Sequence, residues 1–223
     1  MAMRHTVQYN QYRGNRLVNA PASEPITKAE AKAQLRLDAS DTSEDSQLDL
    51  YITAAREQCE TYTGLALITQ TWKLTLDHWP TDREPWWDGV KQTSISELSS
   101  SHRASNILLP RYPLQSVDSV TADGESVTVG DIFITDTQQL PGRLVLKLGQ
   151  TFPVTIERAN AIEIEYTAGY GDNASDVPAP LRLALIQMVA TLYEHRGDGC
   201  TAVDAMHQSG AKRMFDSYKA MEL

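Results

Sequence analysis

The hydrophobic period of this chain changes twice, and that alternation limits its fold more than any single motif. Leu48, Ile52, Ala55, Cys59 and Tyr62 recur at helical spacing along one face. From Thr69 the period falls to two: Trp72, Leu74 and Leu76 alternate with Thr71, Lys73 and Thr75, as on a half-buried strand. The helical period then returns in Leu181, Ala184, Leu185, Met188, Val189 and Leu192. Strand-forming sequence is therefore flanked on both sides by helix-forming sequence. This predicts an α+β fold, a small helical bundle domain of N- and C-terminal helices interrupted by an antiparallel β-sandwich or partial-barrel insertion.

Local signals place the boundaries. Thr27 and Glu30 form a T-x-x-E capping box, with Ile26 before the cap, and open a short helix over residues 28–35. The polar run 38–43 breaks it, and Gly64 is the natural stop of the longer helix that follows. The face of that helix bearing Asp49, Arg56, Glu57 and Glu60 is expected to be solvated. Short strands are expected at 107–109, 117–121, 126–129, 132–135, 144–148 and 161–166, with turns at Asp123-Gly124, Gly130-Asp131, Pro141-Gly142 and Gly149. Pro178 and Pro180 start a further helix, which stops at Gly197-Asp-Gly199.

These boundaries divide the chain into five parts. Residues 1–23, rich in Asn, Gln, Arg and Tyr, read as a flexible arm that orders only against a partner. Residues 24–67 and 178–200 are the two helical parts, and 68–177 is the β-rich insertion with a long loop at 80–105. Residues 201–223 form a C-terminal tail with a short helix around 212–221. Its apolar positions Met214, Phe215, Tyr218 and Met221 have too few neighbours to bury them.

Composition excludes several function classes. The 41% hydrophobic and 22% charged content is that of ordinary globular domains. Twenty basic against 29 acidic residues give a net charge of −9, which argues against a surface built to neutralise phosphates. Every apolar stretch falls short of the roughly 20 residues that a bilayer requires. The N-terminus lacks the apolar core of a secretory signal, so the chain is expected to stay in the cytoplasm where it is made. Cys59 and Cys200 have no CxxC or Cys/His partner at metal-ligand spacing, so neither a disulfide nor a zinc site is expected.

Residues able to do chemistry have simpler readings. His195, between Glu194 and Arg196 at a helix end, suits a cap facing the helix dipole. Asp77-His78 has no nucleophile motif to serve. Asp172, Asn173 and Asp176 lack the order of a calcium loop and read as turn residues, and the acids beside Gly169 and Gly171 would repel phosphate. No catalytic residue, cofactor or metal is assigned. Trp86 and Trp87 cannot easily share one core from adjacent loop positions, and are read as an intersubunit or tail-side contact. The alternative is a carbohydrate- or host-surface-binding β-domain module that uses this Trp-rich loop.

Several stretches are also familiar in their order: PITKAEAKAQLRLD at 25–38, YITAAREQCETYTGLALITQTW at 51–72, Trp79-Pro80, and ILLPRYPLQSV at 107–117. They continue with PGRL at 141–144, YTAGYG at 166–171, VPAPL at 177–181 and LYEHR at 192–196. Together they resemble the tailed-phage head-tail connector family of adaptor, or head-completion, proteins, in its longer members with a β-rich insertion. The resemblance implies a structural virion protein rather than an enzyme: a closed homo-oligomeric ring of about twelve copies bound to the portal protein. Such a ring is added after DNA packaging and completes the filled head in the virion neck. It offers the next site to a head-closure or tail-terminator protein and passes phage DNA through its lumen without sequence-specific binding. It requires no cofactor and no membrane. The family's terminal Leu-Leu-x-x-Tyr-Arg-like ending has its counterpart in Met214-Phe-Asp-Ser-Tyr-Lys219, which puts portal docking on Arg213, Met214, Phe215, Tyr218 and Lys219. The acidic balance suits a conduit along which DNA slides without adhering.

Overall fold

The capping box forms as the sequence predicts. The Thr27 hydroxyl accepts the Glu30 N–H at 3.2 Å, and the Thr27 N–H donates to the Glu30 carboxylate at 2.8 Å. The structure, a computed structural model, describes residues 13–79, 106–155 and 159–219. Its elements run β1 (Arg13–Asn19), α1 (Lys28–Leu35), α2 (Asp45–Thr63), β2 (Gln70–Leu76), β3 (Asn106–Leu108), β4 (Leu114–Ala122) and β5 (Glu125–Val127). They continue with a short helical turn α3 (Val129–Ile132), β6 (Phe133–Asp136), β7 (Arg143–Leu146), β8 (Ile162–Ala168), a 3-10 turn (Ala174–Asp176), α4 (Ala179–Glu194), α5 (Ala202–Gln208) and α6 (Ala211–Asp216). The chain divides into a helical unit (Asn19–Gln70, Arg111–Pro113 and Ala168–Leu223) and a β-rich unit made of the remainder.

In the helical unit the predicted apolar faces meet. Ile52, Ala55 and Cys59 of α2 share one core with Leu181, Ala184, Leu185, Met188 and Val189 of α4, closed by Ile26, Met206 and Phe215. Each large side chain buried there contributes on the order of 1.5–3 kcal/mol. Gly64 ends α2 at φ 83°, and its N–H returns to the Glu60 carbonyl at 2.9 Å. Gly169, at φ 146°, lies so close to the chain at Ile68 and Thr69 that a Cβ would stand 2.6 Å from the Thr69 nitrogen. The Gly-Tyr-Gly segment is thus a backbone crossing: the Gly169 N–H donates to the Pro113 carbonyl at 2.9 Å, and the Thr69 N–H to that of Gly171 at 3.0 Å.

The polar face of α2 corrects the expectation. Asp49 and Glu57 are exposed, but Arg56 and Glu60 are buried, at 7% and 5% exposure. One Glu60 carboxylate oxygen accepts the Leu67 N–H at 2.9 Å and the Gln70 amide at 2.7 Å. The other accepts Arg56 at 3.1 Å. Arg56 in turn donates to Glu24 at 2.9 Å. Burial pushes the Glu60 carboxyl pKa up, against the pull of the Leu67 N–H, Arg56 and Gln70. Burial also opposes the charge of Arg56, but the Glu60 and Glu24 carboxylates outweigh it and raise its pKa. The segment after Gly64 folds back over this face and brings donors that a helical wheel cannot show.

In the β-rich unit, one sheet has the order β1-β2-β8-β4-β5 and a second the order β3-β7-β6, so the described strands form open sheets rather than a closed barrel. The pairs β4–β5, β3–β7 and β6–β7 are antiparallel. The Asp123-Gly124 turn joins β4 to β5 with both residues at positive φ, 52° and 87°, as a two-residue hairpin of matching twist demands. Alternation holds on β8, where Ile162, Ile164, Tyr166 and Ala168 are buried. On its outer face Glu163 and Glu165 hold Lys73 at 2.9 and 3.0 Å. Trp79 is buried, stacks on Phe152 with ring centres 4.9 Å apart, and donates its indole N–H to the Pro153 carbonyl at 2.9 Å.

Two further expectations change. Residues 13–19, assigned from sequence to an unstructured arm, are the edge strand β1, because cross-strand pairing can order a segment that has no apolar period of its own. Residues 129–132 turn as a helix between β5 and β6, where strand sequence was expected to run on either side of Gly130. The loop at 80–105, with Trp86 and Trp87, lies outside the described residues. Among the described residues no helix is long and apolar enough to cross a membrane.

Replacing Glu60 with Ala leaves the Leu67 N–H, the Gln70 amide and Arg56 without their acceptor. It is expected to cost about 3–5 kcal/mol, read as a lowered denaturant midpoint. The thiols offer a second check. Burial, with the Glu60 charge beside it, raises the Cys59 pKa to about 12, while Cys200 is half-exposed. A thiol reagent at pH 8 should label Cys200 in the folded protein and reach Cys59 only on unfolding.

Candidate docking site

The C-terminal segment is built onto the end of α2. Thr201 caps α5, its hydroxyl accepting the Asp204 N–H at 3.2 Å while its own N–H donates to the Asp204 carboxylate at 3.0 Å. This T-x-x-D box was available in the sequence and went unread. Gly210, at φ 77°, turns the chain into α6, and Ala211 and Phe215 drop into the helical core with no exposed surface. Phe215 is therefore a packing anchor and not an exposed apolar position, because the C-terminal segment folds back onto α2 and α4.

A polar clasp holds the other side of α6. The Tyr62 hydroxyl donates to Asp216, Lys212 pairs with Asp216 at 2.9 Å, and the ammonium groups of Lys212 and Lys219 lie 5.4 and 5.1 Å from the centre of the Tyr62 ring. Hydrogen bonding to Asp216, then to Tyr62, raises the Lys212 pKa to about 12, and the same contacts lower that of Asp216. The five residues singled out from the sequence thus separate. Phe215 faces inward, Met214 and Tyr218 are half-buried against the core, and Arg213 and Lys219 are exposed. Sequence reading missed Tyr62, Lys212 and Asp216 as parts of this site. The i,i+4 spacing of Lys212 and Asp216 was a visible signal, whereas nothing local linked either residue to Tyr62.

The chemically capable residues have structural roles. The His195 N–H closes α4 on the Thr191 carbonyl at 3.1 Å, and its ring nitrogen lies 3.2 Å from Asp198. Asn173 and Asp176 cap each other across the 3-10 turn, the Asn173 N–H donating to Asp176 at 2.9 Å. Among the described residues no group of His, Cys, Asp and Glu could hold a metal ion.

Truncation of Phe215 to Ala is expected to cost about 3–5 kcal/mol and to loosen α6. Arg213→Ala should stay within about 0.5 kcal/mol of the wild type, both read by thermal melts.

Three chains from solved structures share this fold. One, from the virion of a native gene transfer agent (GTA) particle, is 22% identical with a TM-score of 0.67 and covers 94% of this chain and 96% of its own. Another, from the neck of the empty GTA particle computed with C6 symmetry, is 22% identical with a TM-score of 0.69, covering 94% and 97%. A third, from the neck of the native GTA particle computed with C12 symmetry, is 20% identical with a TM-score of 0.59, covering 93% and 97%. No curated protein matches the sequence. Residues 25–198, from the lead into α1 to the turn beyond α4, match the model of the head completion protein family, a span that ends before α5 and α6. The order of motifs that resembled a head-tail connector is thereby accounted for, and the chain belongs to the head completion protein family.

Proposed function

We propose that this chain is a head-tail connector of the virion neck, which assembles as a ring beneath the portal, completes the DNA-filled head and presents the attachment site for the tail. The family match across residues 25–198 carries this reading. The fold shared with chains of the GTA virion and neck supports it, and the C6 and C12 symmetry of those necks is what a ring would display. In this reading the role is structural, in keeping with the part that His195, Asp176 and Glu60 play in the fold.

In this reading about twelve copies close a ring through heterologous contacts. The exposed cations Arg213 and Lys219, with the half-buried Met214 and Tyr218, meet the portal, and Phe215 holds them in place from within. Trp86 and Trp87 serve an intersubunit or tail-side contact, and a head-closure or tail-terminator protein binds next. A net charge of −9 lets DNA pass through the lumen without sequence-specific binding.

Cryo-electron microscopy of the protein mixed with its cognate portal is expected to show a ring of density beneath the portal. A chain that never joins the portal at high concentration would overturn the connector reading. Arg213→Glu should weaken portal capture about tenfold, with melting unchanged. Undiminished capture would remove α6 from the docking surface.

A further inference from the structure

Among the described residues, the five-stranded sheet ends in two unlike edges, β1 on one side and β5 on the other. An edge strand presents unpaired backbone donors and acceptors to any strand that can approach it, and proteins usually blunt such edges with charge. Here the two edges carry opposite charge. β1 contains Arg13 and Arg16, and residues 1–23 hold no Asp or Glu at all, in a chain of net charge −9. Every side chain from Gly14 to Asn19 is exposed, with Leu17 and Val18 at 39% and 41%.

At the opposite edge, a groove of about 390 Å³ runs along β5. Its lining combines the carboxylates Asp123, Glu125 and Asp131 with the apolar Val127, Ile132 and Val154. Glu125 and Asp131 are exposed, and Val154 is 97% exposed, a large apolar side chain left in water.

We propose that copies of this chain join edge to edge, β1 of one copy lying along β5 of the next, with Arg16 against Glu125 and Asp131 and with Val18, on the same face of the strand as Arg16, covering Val154. The inference rests on the ring reading and names its interface. Charge selects the pairing. Two β1 edges would oppose Arg16 to Arg16, two β5 edges would oppose carboxylates, and only the unlike edges attract. Backbone hydrogen bonds between the strands give strength without demanding close side-chain fit. Because the two edges lie on opposite sides of one sheet, the contact is heterologous: each copy uses one edge and leaves the other free, so the contact can repeat from copy to copy, as a ring requires.

The test uses the full-length chain with a photo-crosslinking p-benzoylphenylalanine in place of Val154, as an equal mixture of nitrogen-14 and nitrogen-15 protein assembled on the cognate portal. Mass photometry reads the ring and mass spectrometry reads the cross-link. The expected products join residue 154 to residues 13–19 as mixed-isotope pairs. Glu125→Lys with Asp131→Lys should lower their yield about tenfold, and adding Arg16→Glu should restore it. Rings whose cross-links fall elsewhere, or join only chains of one isotope, overturn the edge pairing and leave the ring reading standing. Mixed-isotope pairs at residues 13–19 without any ring support the edge pairing and overturn the ring. Neither ring nor such pairs overturns both.

Discussion

The buried carboxylate of Glu60 organises the helical unit. It stands where α2 ends and the chain prepares to enter β2, and its two oxygens take the Leu67 N–H, the Gln70 amide and Arg56. The Glu60 backbone carbonyl also accepts Arg111 at 2.6 Å, which brings in the segment before the Tyr112-Pro113 bond. An ionised group removed from water costs several kcal/mol unless its hydrogen-bonding positions are filled, and here both oxygens are filled from four residues or more away. The segment 64–70 has no helix or sheet partner for most of its length. The carboxylate accepts its Leu67 N–H, while the Ala66 and Thr69 N–H groups donate to the Tyr112 and Gly171 carbonyls.

The same economy of partners explains the C-terminal segment. Two helices of seven and six residues could not persist alone in water. Phe215 and Met206 give them an apolar anchor in the core of α2 and α4, and the Tyr62, Lys212 and Asp216 clasp fixes the outer side. Arg213 on α6 and Lys219 just beyond it are thereby held on a rigid base. A docking surface gains from such support, because less freedom is lost when a partner binds. The family match stops before this segment, so the part of the chain proposed to meet the portal is also the part least bound to the shared pattern.

Much of the molecule was legible in sequence because much of it is local. The capping box at Thr27 and Glu30, the stop at Gly64, the Asp123-Gly124 turn and the buried face of α4 depend on residues within one or two turns of each other. The candidate site was less legible. Met214, Phe215 and Tyr218 stood out as apolar, but whether each faced inward or outward depended on Tyr62 and α4, more than twenty residues away along the chain.

The sequence by itself determined the order of most helical and strand segments, most of their caps and turns, and the apolar faces. Those features follow from backbone preference and from period, which are written in neighbouring residues. Only the tertiary structure decided that Arg56 and Glu60 are buried, that Phe215 is core, and that residues 13–19 form a strand beside β2. Burial and edge pairing are set by whichever distant segment arrives to supply donors, acceptors and apolar surface, and no local pattern names that segment.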